Sequence, residues 1–331
     1  MKRVCVLPGD GIGPEVVGCA TRVLEAVAPG IELVSGEIGQ SAMDVHGSPL
    51  PARTLDLIRG CDSCLFGAVT SPSAASHPSP VLTFRKELDL FANLRPVRNL
   101  VSVQGRPPID VVIVRENSEG LYHQPEVEDA EGVTTHRRVT ARASRRIVDF
   151  AIGHARSRGR RGVCCVHKAN VLRRSDGLFL DVFRERMRDA GAGLMARDQL
   201  VDSAALLLVT DPSYFDVIVT LNLYGDILSD LAAGVAGGLG FAPSGNIGPR
   251  HSVFEPAHGS APDIAGKGVA NPTAAILSAS MMLEHIGMGR EAAEVSQAVI
   301  GAYADGALTV DVGGALGSAA FTELVLSRLR R

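Results

Sequence analysis

The stretch LNLYGDILSDLAAG, residues 221–234, joins a buried strand to a helix and decides the fold class. The preceding FDVIVT (215–220) has the continuous apolar character of a strand that is buried on both faces. In a helix that begins near residue 226, Asp226 and Asp230 lie on one face because they are four residues apart. Two unpaired aspartates beside a buried strand repel each other and lose hydration, so we expect a partner for them.

The composition indicates a globular protein with more than one domain. The chain has 331 residues, which is more than one hydrophobic core usually serves. A net charge of −3 offers no basic field to nucleic acid or anionic lipid. The N-terminus lacks the features of a signal peptide, and no apolar run reaches the length of a membrane span. Six scattered cysteines form no disulfide framework, which favours the cytoplasm, and the lone C-x-x-C pair of Cys61 and Cys64 is interpreted as structural.

Short apolar runs alternate with helical patterns, which predicts an α/β architecture. The runs lie at 64–69, 110–117, 162–172 and 215–222, and the last three contain or end in polar residues. Helical periodicity occupies 141–158, 175–191, 272–287, 290–306 and 321–331.

The segment GDGIGPE (9–15) is similar to a dinucleotide-binding fingerprint but lacks its third glycine, because Pro14 stands there. The simpler interpretation is a tight turn from strand to helix, with Pro14 in the first turn of the helix.

Polar side chains follow three of the predicted strands: Arg115, Lys168 and Asn222. Ligands bind beyond the carboxyl ends of parallel strands, so these residues predict a site at that edge of the sheet.

Three arginines, Arg85, Arg95 and Arg115, occur within a short part of the chain. An arginine binds a carboxylate through two parallel hydrogen bonds, so three on one site would suit a di- or tricarboxylate. The alternative for each is a solvated surface charge.

Tyr122 and Lys168 are candidates for proton transfer. A tyrosine delivers a proton when a nearby cation lowers its pKa, although Tyr122 could equally be a surface aromatic. A lysine at the end of a buried strand is either paired or has a lowered pKa, and the second state suits a general base.

Three aspartates, Asp202, Asp226 and Asp230, would form an all-oxygen site for Mg²⁺ or Mn²⁺. The cation would offset the repulsion between the two aspartates of the predicted helix. The alternatives are that Asp226 caps the helix, that Asp230 pairs with an arginine, and that Asp202 is the N-cap of a helix over 203–209.

The segment FEPAHGSAPDIAGKGVANP (254–272) is rich in small residues and has almost no apolar periodicity. Small residues let backbone amides approach a phosphate or an adenine closely. Asp263 could accept hydrogen bonds from ribose hydroxyls and would repel a 2′-phosphate, which favours NAD.

Together these motifs resemble the β-decarboxylating dehydrogenases, which include the isocitrate, homoisocitrate and 3-isopropylmalate enzymes with related malate and tartrate enzymes. NLYGDILSDLAAG (222–234) and HGSAPDIAGKGVANP (258–272) carry the resemblance, which extends from residue 9 to about 329. The resemblance implies two α/β domains without a standard Rossmann fold. A discontinuous cofactor-binding domain would comprise 1–92 and 237–331, and an inserted domain, 93–236, would carry the dimer contacts and the substrate and metal residues, with the active site in the cleft between the domains.

The resemblance also implies residue roles. Tyr122, Lys168 and Asp202 would be the catalytic residues, and Asp202, Asp226 and Asp230 the metal ligands. The substrate would contact Ser79, Arg85, Arg95, Arg115 and Asn170. NAD would contact Thr70, His258, Gly259, Ser260, Ala261, Asp263, Ile264 and Asn271. Lys168 and Asp202 would serve the partner subunit's site, which implies an obligate homodimer.

The expected reaction is NAD- and metal-dependent oxidative decarboxylation of a 3-substituted malate. The resemblance implies that the segment SPVLTFR (79–85) selects the substrate, and Ser79 favours a carboxylate-bearing side chain, as in homoisocitrate or isocitrate. Val81 and Leu82 instead leave an apolar patch that would suit 3-isopropylmalate, and His77 could add positive charge. An unusual malate such as a phosphonate or tartrate, and a non-catalytic regulatory subunit, are the remaining alternatives.

Overall fold

The structure is a computed structural model that describes residues 1–70, 79–102, 104–122 and 125–330. His77 and most of the Ser/Pro-rich loop at 71–80 therefore lie outside the described residues. The chain forms two compact units. Unit 1 comprises Met1–Leu88, Leu100–Ser102 and Gly237–Arg331, and unit 2 comprises Asp89–Asn99 and Val103–Ala236.

The described residues of unit 1 form these strands, with elements numbered in chain order: β1 (Arg3–Gly9), β2 (Glu32–Ser35), β3 (Ser63–Ala68), β11 (Pro243–Ile247) and β12 (Ser252–Pro256). Their order is β2-β1-β3-β12-β11, in which the first four are mutually parallel and β11 is antiparallel to β12. Strand β3 is buried along its whole length, as the continuous apolar run at 64–69 predicted.

The described part of unit 1 contains these helices: α1 (Gly13–Val27), α2 (Gln40–His46), α3 (Ala52–Arg59), α4 (Pro80–Glu87), α9 (Thr273–His285), α10 (Gly289–Ala304) and α11 (Ser318–Leu329). The last three confirm the helical periodicity of the final third. Apolar faces of α1, α9, α10 and α11 form the core of this unit.

Unit 2 contains β4 (Ala92–Arg98), β5 (Asp110–Glu116), β8 (Gly162–His167), β9 (Met195–Leu200) and β10 (Val217–Thr220) in the order β4-β5-β10-β8-β9. Strands β5, β10, β8 and β9 are parallel, and β4 is antiparallel to β5. A separate hairpin pairs β6 (Glu126–Glu128) with β7 (Val133–Thr135).

The helices in the described part of unit 2 are α5 (Ala141–Ser157), α6 (Ser175–Ala190), α7 (Val201–Thr210) and α8 (Asn222–Ala236). Helices α7 and α8 bury Ala204, Leu208, Leu228 and Ala232 against the strands in one hydrophobic core.

The limits of the units differ slightly from those expected from the sequence. Because β4 pairs along its whole length with β5, the segment from Asp89 belongs to unit 2 rather than ending the first domain at residue 92. Leu100 and Val101 pack against the core of unit 1, so this short piece belongs there.

Helix α8 begins at Asn222, one turn earlier than expected. Asp226 therefore lies inside the helix, and the prediction that it could cap the helix is wrong. Gly225 explains how the helix starts so close to the strand, because a Cβ at this position would lie 2.6 Å from Cβ and Cγ of Arg115. Only glycine permits this approach of α8 to β5.

All six cysteines are free thiols, and five of them are buried. Burial raises the pKa of the remaining Cys61 thiol to about 11, which fits the structural interpretation of the C-x-x-C pair. None of the described helices has the length and apolarity needed to cross a membrane.

Candidate active site

Arg115 lies at the carboxyl end of β5 and is almost completely buried, with 1% of its surface exposed. Its Nε and Nη2 atoms donate hydrogen bonds to Oδ1 of Asn222 at 3.1 and 2.8 Å. Its Nη1 donates to Oδ1 of Asp226. The parallel strands β5 and β10 thus bring Arg115 and Asn222 together at one edge of the sheet, and the prediction of a solvated Arg115 is wrong.

Arg95 reaches the same carboxylates from β4. Its Nη2 lies 3.3 Å from Oδ1 of Asp226, and its Nη1 donates to Oδ1 of Asp230 at 3.0 Å. Asn93 and Ser229 hold the guanidinium by accepting hydrogen bonds at 2.8 and 2.7 Å. Arg95 is also buried.

Tyr122 joins this group through its hydroxyl, which donates a hydrogen bond of 2.6 Å to Oδ2 of Asp226. The guanidinium of Arg115 lies 5.0 Å from the centre of the tyrosine ring. Burial raises the pKa of Tyr122, and the hydrogen bond to Asp226 raises it further, while Arg115 acts in the opposite direction. The expectation that a nearby cation lowers the pKa of Tyr122 is therefore wrong for this arrangement, because burial and Asp226 outweigh Arg115.

We call Arg95, Arg115, Tyr122, Asp226 and Asp230 the Asp226 cluster. Desolvation raises the pKa of Asp230, and the neighbouring Asp226 carboxylate adds to this, although Arg95 opposes it. Pairing of Asp230 with an arginine, the alternative to a metal site, is thus present. Among the described residues, no three His, Cys, Asp or Glu side chains lie close enough together to hold a metal ion. Two carboxylates on one helix face provide part of an oxygen donor set for a hard divalent cation, and Asp202 of the same chain does not complete it.

Lys168 follows β8 directly, and its Nζ donates a hydrogen bond of 2.7 Å to Oδ1 of Asp202. This ion pair lowers the pKa of Asp202. The prediction that Asp202 is an N-cap is wrong, because α7 begins at Val201 and its N-cap is Leu200. Asn170 lies in the exposed turn after β8.

Arg85 lies in unit 1, on α4, and is buried. Its Nη2 donates to Oε1 of Glu255 at 3.2 Å, and Asn246 donates to the same oxygen at 2.7 Å. The Nε of Arg85 is buried and has no hydrogen-bond partner in the described part of the chain. Ser79 is the N-cap residue of α4, and its hydroxyl makes no capping hydrogen bond.

The glycine-rich turn at 9–15 supports the segment proposed to bind the cofactor. Gly11 has a φ of +60°, and a Cβ there would lie 1.9 Å from the carbonyl oxygen of Ser260. The backbone N–H of Ile12 donates to that same oxygen at 2.8 Å, and the hydroxyl of Thr70 donates to Oγ of Ser260 at 2.8 Å. Pro14 lies in the first turn of α1, which confirms the strand–turn–helix prediction.

The rest of this segment combines buried and exposed groups. The Nε2 atom of His258 is buried without a hydrogen-bond partner among the described residues, and burial lowers the pKa of this imidazole. Ala261 has a φ of +36°, which is unusual for a residue with a side chain. Ile264 packs against the core of unit 1, while Asp263 and Gly259 are exposed. The side chain of Asn271 bonds to Asp311 and to the N–H of Thr273.

Sequence reasoning missed several residues that orient the predicted site. Asn93 lies two positions from Arg95, which places both on one face of β4, and Ser229 lies one turn after Asp226 on α8. Those spacings could have identified them. Glu255 had no such signal, because its contact with Arg85 joins parts of the chain 170 residues apart.

Comparison with known proteins places this fold in a family. The family described as "Isocitrate/isopropylmalate dehydrogenase" matches residues 3–325. An isocitrate/homoisocitrate dehydrogenase of Thermus thermophilus is 47% identical over 99% of this chain and 98% of its own length. A 3-isopropylmalate/3-methylmalate dehydrogenase of Methanocaldococcus jannaschii is 46% identical over 100% of this chain and 99% of its own. The crystal structure of isocitrate dehydrogenase from Methylococcus capsulatus superposes with a TM-score of 0.96 at 40% identity, covering 100% of both chains.

The chain therefore belongs to the isocitrate/isopropylmalate dehydrogenase family, whose members are decarboxylating dehydrogenases. Its architecture is the α/β fold of these enzymes, as expected from the sequence.

Proposed function

We propose that this protein catalyses the NAD- and divalent-metal-dependent oxidative decarboxylation of a 3-substituted malate to a 2-oxo acid. The observation that carries the proposal is the Asp226 cluster, in which two buried arginines and a tyrosine hydroxyl converge on one aspartate. Burying two guanidinium groups is costly unless each is paired. In a substrate complex, carboxylates of a malate would take over part of this pairing.

The metal would be held by Asp226 and Asp230 of one chain and Asp202 of a second copy. The donor set is all oxygen, which suits Mg²⁺ or Mn²⁺. Burial raises the pKa of Asp230, with a smaller contribution from Asp226, and a bound cation would favour the charged form of both carboxylates. When bound, the metal would supply Lewis acidity toward the substrate's hydroxyl and carboxylate oxygens.

The cofactor would bind the segment 258–271 in unit 1, and it would supply a hydride acceptor. The buried Nε2 of His258, which has no partner among the described residues, is a polar atom suited to meet a ligand. The exposed Asp263 favours NAD over NADP, because its negative charge would repel a 2′-phosphate. Thr70 donates a hydrogen bond to Ser260 within this segment, and Asn271 at its end accepts one from the N–H of Thr273.

The chain's own groups would move the protons. Arg85, Arg95 and Arg115 would orient the substrate carboxylates, and Lys168, paired with Asp202, would take the proton of the C2 hydroxyl. Tyr122, held protonated, would deliver a proton to C3 after CO₂ has left. The structure shows Lys168 in a 2.7 Å ion pair with Asp202, so its ammonium group would have to give up a proton before Lys168 acts as the base.

A homodimer with shared active sites is part of the proposal. Helix α7 presents Asp202, Leu206 and Val209 at spacings of four and three residues, so they share one face. Leu206 is 63% exposed, and Ile227, beside Asp226 on α8, is 58% exposed. A second copy that covers this apolar face would bring the aspartate of one chain toward the Asp226 cluster of the other.

The identity of the side chain at C3 of the substrate is the part of the proposed reaction for which the chain gives two opposing signals. Ser79, whose hydroxyl makes no capping bond, favours a carboxylate-bearing side chain, as in homoisocitrate first and isocitrate second. The half-buried Val81 and Leu82 on the first turn of α4 favour 3-isopropylmalate as the alternative. Relatives with each kind of name occur at nearly equal identity.

The test is kcat/KM for homoisocitrate, isocitrate, 3-isopropylmalate, malate and tartrate at fixed NAD⁺ and Mn²⁺, repeated with chelator. We expect the highest value for a substrate with an anionic C3 side chain, and no turnover after chelation. The matched variant Ser79→Ala should lower kcat/KM for that substrate and leave 3-isopropylmalate unchanged. A preference for 3-isopropylmalate would make Val81 and Leu82 the selecting residues, and turnover in the presence of chelator would contradict the metal assignment.

A further inference from the structure

Asp176, in the first turn of α6, is completely buried, with 0% of its surface exposed. Its Oδ2 accepts a hydrogen bond of 2.7 Å from the backbone N–H of Lys168. Its Oδ1 accepts a bond of 2.5 Å from Nη1 of Arg137, whose guanidinium lies 5.2 Å from the ring centre of Tyr224. A fully buried carboxylate without a cation would be very costly, so Arg137 makes this placement possible.

We propose that Asp176, paired with Arg137, is the positioning residue for Lys168. The inference rests on the proposed function, in which Lys168 is the general base. It adds a residue that touches neither substrate nor cofactor and acts only through the backbone of Lys168.

The backbone of Lys168 is held on both sides of the residue. Its N–H is bound by Asp176, and its carbonyl oxygen accepts hydrogen bonds from the N–H groups of Val171 and Leu172 at 3.0 and 2.8 Å. The N–H of Asp176 in turn donates to the carbonyl of Leu172 at 3.0 Å. Hydrogen bonds thus close the 168–176 segment into a loop, because its first residue, Lys168, is bonded to the carboxylate of its last residue, Asp176.

The side chain of Lys168 is less constrained than its backbone. Its ammonium group bonds to Asp202, which is largely exposed. The direction in which the flexible four-carbon side chain of Lys168 extends is therefore set mainly by the position of its backbone at the end of β8. Loss of the Asp176 contact would let the first residue after the strand move, and small displacements of a reacting group are costly in rate.

Asp216 offers a matched control at the opposite end of the same strand. Its Oδ2 accepts the backbone N–H of Gly162, where β8 begins, at 3.3 Å, and its Oδ1 pairs with Arg160 at 3.0 Å. Both aspartates therefore pair with an arginine and bind the backbone at one end of β8. Only Asp176 acts at the end that carries Lys168.

The first experiment compares Asp176→Asn and Asp216→Asn in the whole 331-residue chain. For Asp176→Asn we expect kcat to fall roughly 10- to 100-fold with little change in KM for NAD⁺. For Asp216→Asn we expect a lower Tm and a kcat within about twofold of the parent. Equal losses of kcat in both variants would overturn the inference, because they would indicate a general weakening of the strand.

The second experiment places Asp176→Asn in a Lys168→Ala background. If Asp176 acts through Lys168, the double variant should have the same residual kcat as Lys168→Ala alone. Multiplied losses would overturn the inference. Arg137→Gln should reproduce the pattern more weakly, which keeps the proposal testable if Asp176→Asn does not fold.

The failure of the proposed function gives a different result. If Lys168→Ala keeps full activity, Lys168 is not the base and the role of Asp176 falls with it. If Lys168→Ala is inactive while well-folded Asp176→Asn keeps the parent kcat, only the positioning inference is wrong. Exogenous primary amine should restore part of the activity of Lys168→Ala, and to the same extent in the double variant.

Discussion

Unit 2 carries two groups of predicted active-site residues that differ in how they are held. In the Asp226 cluster, Arg95 and Arg115 are buried and each makes several hydrogen bonds. Lys168 and Asp202 form a single ion pair, and 62% of the Asp202 side chain is exposed. The first group is arranged before a substrate arrives, whereas Asp202 of the second group lies on α7 with the exposed Leu206 and Val209. Under the proposed function, the second group would serve another copy of the chain.

Asp226→Asn should produce the largest effect on the cluster. The substitution removes the charge that Arg95, Arg115 and Tyr122 share and halves the carboxylates that this helix offers to a metal. We expect kcat/KM to fall by about a thousandfold, with weaker Mn²⁺ binding measured by equilibrium dialysis. The exposed Asp181→Asn on α6 is the control. Unchanged Mn²⁺ binding in Asp226→Asn would refute the metal assignment.

Leu206→Glu tests whether the exposed face of α7 is covered by a partner. The residue is exposed within one chain, so the charge should not unfold the unit but should oppose association. We expect monomers by analytical ultracentrifugation and a loss of activity of roughly a hundredfold. The control is Leu324→Glu on α11 of unit 1, also an exposed leucine. A fully active Leu206→Glu monomer would contradict the shared site.

Arg115→Lys should have a smaller effect. It measures how much the several hydrogen bonds of the guanidinium contribute to substrate binding beyond its charge. Lysine keeps the positive charge but cannot make both bonds to Asn222 and the bond to Asp226. We expect KM for the hydroxy acid to rise by about 10- to 100-fold while KM for NAD⁺ stays constant. A rise in KM for NAD⁺ alone would indicate that Arg115 contacts the cofactor and not the hydroxy acid.

Asp263→Lys should have the smallest effect, because this residue is exposed and its replacement disturbs no packing. We expect kcat/KM for NAD⁺ to fall about tenfold and that for NADP⁺ to rise, since the new charge would attract a 2′-phosphate. Glu25→Lys, on the exposed side of α1, controls for the change of net charge. An unaltered ratio of kcat/KM for NAD⁺ to kcat/KM for NADP⁺ would show that Asp263 does not contact the cofactor.

The sequence predicted elements best where the pattern was continuous. The buried β3 and β10 and the helices α9 and α10 follow directly from apolar runs and periodicity. Strand β11 was missed because Pro243, Ser244, Gly245 and Asn246 give it no apolar pattern, although it is entirely buried. Its polar atoms are satisfied by partners such as Glu255, which lie on another strand.

The residues of the candidate site also divide into those that the sequence predicted and those that it could not predict. Residue types and resemblance identified the arginines, Tyr122 and the aspartates, because each of these has a chemistry of its own. The positions of Asp176 and Glu255 could not be foreseen, since their importance depends on which distant backbone or side chain the fold brings to them. Alternative pairings for Asp226 were also open, and only the geometry showed that it meets two arginines and a tyrosine.

Mixing two inactive variants tests the central claim, that one active site combines groups from two chains. Lys168→Ala and Asp226→Asn chains would be dissociated, mixed equally and reassociated. In a shared-site hybrid, both substitutions fall in one site and the other site is intact, so random assembly predicts about a quarter of the parent activity. If each chain held a complete site, every site in the mixture would carry one substitution. Activity no higher than that of the separate variants, with hybrids shown to form, would contradict the account.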